Sequence, residues 1–333
     1  MRLSPSLSPD RAVPCRGCGA TLPVTLYHAP AFDATDTATF RLVRCGQCGL
    51  VRTEPVLSEA QLGAYYSADY YGGGSRKFTA LVESFTRLDN RRRARRLLAL
   101  LHGATPETSK PTRILDVGCG RAHLLAALAD LGCECHGVER QEFPTHAAHP
   151  NIRFHREGLE NLPATATDFD AAVFWHTLEH MSDPAATLRV VAQRLRPGGI
   201  VALAVPHFGG WQAQLFKSAW FHLDLPRHTH HFDRTTLERL LVQQGLRPFR
   251  TSTWAFDQNV FGWVQSLLNA LAGPARANAL YSLLKDSRGR KGRLLGWLAA
   301  AGAVAPLALL EYLLSGLLGC GATLIIYARK TPA

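Results

Sequence analysis

The sequence predicts an α/β protein: an open, mostly parallel sheet flanked by helices, with a small cysteine ribbon before it and an apolar helical insertion ahead of its last strand. Three observations predict it. The run Arg113-Ile114-Leu115-Asp116-Val117-Gly118-Cys119-Gly120-Arg121-Ala122-His123-Leu124-Leu125 reads as a buried parallel strand that ends in Asp, turns tightly on two glycines and enters an Ala/Leu-rich helix. After it, strand-length apolar segments alternate with helical patterns. Before it stand two CxxC pairs.

The 333 residues, 47% of them apolar, suffice for one large domain and one small one. A net charge of +11 calls for an anionic partner: membrane, nucleic acid or phosphorylated substrate. The stretch Met1 to Pro14 is rich in Ser and Pro and lacks the apolar centre of a signal peptide, so a cytoplasmic address is expected. The eight cysteines are then ligands or thiols before they are disulfides.

Residues 10–55 hold the ribbon. Cys15-Arg16-Gly17-Cys18-Gly19 and Cys45-Gly46-Gln47-Cys48-Gly49 are two knuckles separated by a strand-like stretch that includes Phe40 to Arg44. Two thiolates three positions apart make one hook for a metal, and two hooks complete a tetrahedral site. Cys15, Cys18, Cys45 and Cys48 are therefore expected to hold a structural Zn²⁺ with no open position; a redox CxxC would not explain the duplication. Cys119, Cys133, Cys135 and Cys320 lack such spacing and read as small buried residues.

Residues 56–110 form a linker and helical region. Leu57 to Leu62 starts a short helix, and Tyr65 to Gly74 gathers four tyrosines beside three glycines, a segment suited either to fold over a site or to pack between domains. A helix over Lys77 to His102 has an apolar face of Phe78, Leu81, Val82, Phe85, Leu88, Leu97, Leu98 and Leu101. Opposite lie five arginines within Arg91 to Arg96, a solvated face or a contact for anionic lipid or phosphate.

The core spans 111–256. Glycine at 118 and 120 lets the backbone approach a ligand, and the following helix offers free N–H groups. Glu139 ends the next short strand, His136-Gly137-Val138, in a carboxylate suited to two ribose hydroxyls. The plain reading of the glycines is a tight strand-to-helix turn. Two details point instead to S-adenosylmethionine. Asp116 precedes the first glycine by two, within reach of an amine, and Ala122 and His123 occupy the place of the third glycine that a pyrophosphate would need.

On these residues the sequence resembles the class I S-adenosylmethionine-dependent methyltransferases, with Leu115 to Gly120 as their first motif. The resemblance implies a Rossmann-like seven-stranded sheet and assigns Asp116, Gly118, Cys119, Gly120, Glu139, Trp175 and His176 to the cofactor. It extends to Glu157 to Pro163, the segment beside the adenine, where Gly158 replaces the usual acid. The fourth strand, Phe169 to His176, runs into Leu178-Glu179-His180, which matches the family's Leu-Glu-His. In open α/β sheets ligands lie beyond the carboxyl ends of the strands, so His176, Glu179 and His180 are expected at the reaction. His180 is either a base near neutral pKa or a residue that orients its loop. The helix over Ala185 to Leu195 and the strand Ile200 to Pro206 fit the same family.

The segment Pro226-Arg227-His228-Thr229-His230-His231-Phe232 resembles methyltransferases acting on ubiquinone precursors or on glycan and lipid head groups. It implies that His228 or His231 faces the acceptor and that Arg227 anchors it. Adjacent histidines without a carboxylate partner rarely converge on a metal. A helix follows over Thr235 to Gln244, capped by Asp233 or Thr235, and then a strand over Leu246 to Trp254.

The last strand is Ala322 to Lys330, within 320–333, and the insertion 257–319 separates it from its partner by roughly seventy residues where a short loop would suffice. Leu294 to Gly319 carries one charge, Glu311, and is long enough to span a bilayer. A cytoplasmic last strand requires the chain to return, which means two crossings or a hairpin in the interface with the basic loop Lys285 to Arg293 near head groups. A greasy substrate funnel, a soluble cap and a dimer interface are the other uses of such a segment.

The expected function is methyl transfer, with His180 or a histidine of the 228–231 group as base and Glu179 beside it. The expected acceptor is a hydroxyl on a lipid-linked, prenylated or glycan small molecule at the inner face of the membrane. The alternatives are an RNA methyltransferase whose ribbon and arginines grip phosphates, and a non-catalytic zinc-ribbon adaptor with a degenerate core.

Overall fold

The computed structural model describes residues 13–33, 36–66, 80–102, 110–141, 149–285 and 290–331; the side chains of 80–85 and 291 are also outside the description. The tyrosine-glycine segment beyond Tyr66, the apolar positions 78, 81, 82 and 85, and loop residues 286–289 therefore lie outside the described residues.

Seven strands build the main sheet: β4 (Arg113–Val117), β5 (Glu134–Val138), β6 (Ile152–His155), β7 (Phe169–Trp175), β8 (Leu195–Pro206), β10 (Leu246–Ser252) and β11 (Thr323–Lys330). Their order is β10-β11-β8-β7-β4-β5-β6, and β11 runs antiparallel between β10 and β8. This is the expected seven-stranded Rossmann-like sheet. Alternate residues feed two cores. Leu115, Phe174, Leu203 and Ile326 face one side with α4 (Pro184–Arg194) and α6 (Arg234–Gln243). Ile114, Val173, Ala202 and Ile325 face the other with α2 (Ala80–His102) and α3 (His123–Ala129).

The ribbon is a second sheet, ordered β1-β2-β3-β9. β1 (Pro23–Pro30), β2 (Thr39–Cys45) and β3 (Val51–Glu54) come from the ribbon itself, and β9 (His230–His231) comes from the histidine segment of the core. Val51 pairs with His231 and Arg52 with His230. The short helix α1 (Glu59–Gly63) follows, with Ser58 and Gln61 forming a capping box.

The insertion makes α7 (Phe256–Ala272), α8 (Ala279–Lys285) and α9 (Lys291–Leu317), after α5 (Trp211–Phe216). α7 packs on the core with its polar groups inside. Gln265 donates to Asn269, Asn269 to Asn278, and Asn278 to the Phe32 carbonyl at 2.7 Å. Asn259 and Gln265 are fully buried. Groups so satisfied mark α7 as a helix packed within the protein. α9 differs. Leu294, Trp297, Ala301 and Val304 pack on α7 and α8, while Leu307, Leu310, Leu313 and Leu317 are exposed. By length and composition, Gly292–Leu317 is apolar enough to span a membrane. Glu311 turns inward to accept from Gln212 Nε2 at 3.0 Å, so it does not interrupt the exposed leucine face.

Candidate active site

The glycine turn sits at the carboxyl end of β4. Gly118 has φ +73° and Gly120 φ +51°, the left-handed region that glycine enters without cost. A Cβ on Gly118 would lie 2.3 Å from Thr177 Cγ2, whereas nothing lies within 4 Å of a Cβ on Gly120. The turn is thus packed below and open above, a cradle of the kind S-adenosylmethionine requires. Cys119 turns its thiol back onto Gly137, and burial raises that thiol's pKa.

Glu139 closes one side of the cradle. Its carboxylate accepts from Gly120 N and Gln141 N, both at 3.0 Å, and has further lone pairs of the kind two ribose hydroxyls would use. Asp116 is buried beneath, and burial together with the charge of Glu139 pushes its carboxyl up to about 7. A cationic amine there would favour the ionised form. Gly158 has φ +92°, and the Glu160 carboxylate folds over it.

At the end of β7, Trp175 carries the Arg93 guanidinium 4.2 Å over its ring, and His176 takes φ +54°. A non-glycine residue held there marks a constrained turn. Leu178–His180 then forms a single 3-10 turn that drives Glu179 inward to 1% exposure. Neither oxygen of Glu179 has a hydrogen-bond partner among the described residues, nor do Trp175 Nε1 and His176 Nε2. His176 Nδ1 lies 3.4 Å and His228 Nε2 4.0 Å from Glu179 Oε1.

His228 is also buried, and desolvation holds its pKa well below the usual imidazole range, with His180 adding to the effect. Its Nδ1 is 2.9 Å from the His222 carbonyl, which can only accept. The proton is therefore on Nδ1, and Nε2 presents a lone pair toward Glu179 and Asp224, the latter at 3.7 Å. A neutral imidazole with a free Nε2 is a general base ready to act. His180 packs edge-on against it at 4.6 Å, and its Nδ1 lies 2.9 Å from the Tyr66 hydroxyl and 3.1 Å from the Arg227 carbonyl. Ligand atoms of Glu179, His180 and His228 fall within 4.8 Å of one another, close enough to share a proton donor or a cation.

His231 lies on the ribbon side. Its Nε2 is 3.0 Å from Thr53 Oγ1, its ring stacks obliquely on Phe208 at 5.5 Å, and burial lowers its pKa to about 3. Arg227 forks onto Asp224, donates to the Tyr65 carbonyl at 3.3 Å and covers Phe32 at 4.8 Å.

The four ribbon cysteines converge. Cys15 and Cys48 sulfurs are 3.4 Å apart, Cys18 and Cys45 3.6 Å, and all four lie within 4.8 Å. The edges of a zinc tetrathiolate with bonds of about 2.3 Å are close to this, so the donor set fits a tetrahedral ion.

Asp116, Gly118, Cys119, Gly120 and Glu139 thus come together around the turn, and Trp175, His176, Glu179, His180 and His228 around the end of β7. His231 lies behind His228 on the ribbon side, their ring centroids 6.5 Å apart. Sequence reasoning did not single out Thr53, Asp224 or His222, which hold the histidine loop. Each is an ordinary residue type in a segment without periodicity, and only the fold brings it there.

Comparison with known proteins agrees with this fold. Residues 89–250 match the family described as methyltransferase domain. The chain is 31% identical over 166 residues to the ubiquinone biosynthesis O-methyltransferase of Dinoroseobacter shibae, covering 46% of this chain and 67% of that protein. It is 27% identical over 173 residues to the enzyme of the same name from Roseobacter denitrificans, covering 48% and 70%. Among solved structures, a putative sarcosine dimethylglycine methyltransferase from Galdieria sulphuraria superposes with TM-score 0.50 at 14% identity, covering 81% of this chain and 98% of that one, a likeness of fold.

Proposed function

The chain belongs to the class I S-adenosylmethionine-dependent methyltransferases, and from that premise we propose that it methylates a hydroxyl on a lipid-linked, prenylated or glycan acceptor at an anionic membrane surface. One observation carries the choice of a hydroxyl. Glu179 Oε1 and His228 Nε2, both buried and both acceptors, face each other at 4.0 Å. Two adjacent hydroxyls, one donating to each acceptor, satisfy them.

When bound over the Gly118–Gly120 turn, S-adenosylmethionine supplies an electrophilic methyl on a sulfonium. Asp116 and Glu139 would hold its amine and ribose. His228 Nε2 would take the hydroxyl proton as the oxygen–carbon bond forms and the methyl–sulfur bond breaks, with S-adenosylhomocysteine as the leaving group, and Glu179 would stabilise the resulting imidazolium. His180, tied to Tyr66, orients the pair, and His231 supports the loop from the ribbon side. Cys15, Cys18, Cys45 and Cys48 hold a structural Zn²⁺.

Membrane contact is supported by the exposed leucines of α9 and by exposed Trp254 and Phe256, whose rings meet Tyr312 of α9 at 5.1 and 5.5 Å. Arg93 reaches Asp257 at 3.6 Å and so ties the arginine-rich α2 to the start of α7. An apolar face flanked by arginines suits a monotopic protein on an anionic inner leaflet. Mass spectrometry of lipids and glycans from cells expressing the chain or its Glu179→Gln variant tests the proposal. A methylated species present only with the unaltered chain is expected; identical lipid and glycan profiles would reject it.

A further inference from the structure

The strand leaving the second cysteine knuckle reaches the base directly. β3 begins three residues after Cys48, and its Thr53, 4% exposed, binds the histidine loop three times. Its N–H donates to the Thr229 carbonyl at 2.9 Å, and its hydroxyl donates to the His228 carbonyl at 2.6 Å. The same oxygen lies 3.0 Å from His231 Nε2. A hydroxyl has one proton, and a carbonyl can only accept, so that proton is committed to His228 and His231 Nε2 must be the donor to Thr53.

Thr229 continues the chain of bonds. Its N–H donates to the Glu179 carbonyl at 2.9 Å, and its hydroxyl to the Met181 carbonyl at 2.9 Å. His228 and Glu179 therefore hang, at one and two removes, from a single threonine of the ribbon. Packing alone would not demand this: a valine fills the same volume and serves the strand equally well. What the hydroxyl adds is a fixed carbonyl at His228 and a fixed tautomer at His231.

We propose that Thr53 is a positioning residue for His228, through which the folded cysteine ribbon sets the geometry of methyl transfer. The proposal rests on His228 acting as base. It gives the ribbon a task beyond stability, since a shift of β3 relative to the core would move the His228 carbonyl, and misplacement by about an ångström costs on the order of a hundredfold in rate.

The test uses the full zinc-loaded chain with ¹⁵N-labelled histidine and its Thr53→Val and Thr53→Ser variants. Long-range proton–nitrogen spectra of the unaltered chain should show neutral His228 protonated on Nδ1 and neutral His231 protonated on Nε2. Thr53→Val should mix the His231 tautomers and shift His228, with S-adenosylmethionine affinity by calorimetry unchanged within about twofold. With a farnesylated catechol as acceptor, kcat should fall about 10- to 100-fold at constant KM. Thr53→Ser should restore both readouts. Should Thr53→Val fail to fold, Thr53→Ala is read in the same way. Unaltered imidazole signals with kcat within twofold of the parent would overturn the proposal. If the parent does not methylate the catechol, the functional reading fails for that acceptor, and the spectra still decide the role of Thr53.

Discussion

His228 Nε2 and Glu179 Oε1 face each other at 4.0 Å inside the protein, two acceptors with no proton between them. Such an arrangement is costly to the free protein and useful to an enzyme. Replacing Glu179 by Gln removes a buried carboxylate that has no hydrogen-bond partner among the described residues. The variant should be more stable to urea by about 1–2 kcal/mol while losing about 10²- to 10⁴-fold in kcat. A loss of stability with retained kcat would show that Glu179 serves the fold.

Stability should decline as the solution is acidified from about pH 6.5. Burial lowers His222 and His230 to about 4 and His231 to about 3, so each stays neutral in the native protein where the unfolded chain takes up a proton. The unfolded state then binds more protons, and each such histidine contributes a slope of about 1.4 kcal/mol per pH unit between the unfolded and folded values. Above pH 6.5 these groups contribute no slope. Urea midpoints from pH 4.5 to 8 measure it, and a flat profile below 6.5 would contradict the burial of these rings.

Asp116 predicts a pH dependence of a different kind. Its carboxyl is held up to about 7 by burial and by Glu139, so below that pH the free protein is largely protonated there. A cationic ligand favours the ionised form. Calorimetric affinity for S-adenosylmethionine should therefore rise with pH, approaching tenfold per unit below about 7, and level off above it. Asp116→Asn should bind more weakly and without this dependence.

Leu310, Leu313 and Leu317 are 53%, 51% and 75% exposed on α9. If each buries apolar surface in a bilayer worth roughly 1.5 kcal/mol, replacing all three by Ser should weaken binding to vesicles containing anionic lipid by about a thousandfold. Their exposure means that urea stability should stay within about 1 kcal/mol. Flotation and urea melts together separate a membrane face from a packing face.

Much of this was readable from local pattern. The β4 turn announces itself through an apolar run and two glycines, and Asp116 and Glu139 follow from their spacing to it. The four cysteines declare their site by the same locality. β9 could not be read, because a two-residue strand whose partners Val51 and Arg52 lie far away in sequence leaves no periodicity. Nor could the choice among histidines, since the Nδ1 proton of His228 is fixed by the His222 carbonyl, a contact across a loop with no regular pattern. The polar residues of α7 make it a poor membrane span by sequence and say nothing of their partners. Asn259, Gln265 and Asn269 are buried, because each is satisfied by a partner that only the fold supplies.

The most direct measurement is to incubate the purified chain with methyl-¹³C-labelled S-adenosylmethionine and a membrane lipid extract, then locate the label by NMR and mass spectrometry. The account predicts one lipid-fraction product bearing the label as an O-methyl group, absent with Glu179→Gln and with His228→Gln. Label found only on nitrogen or carbon, or an O-methyl product formed equally well by both variants, would contradict it.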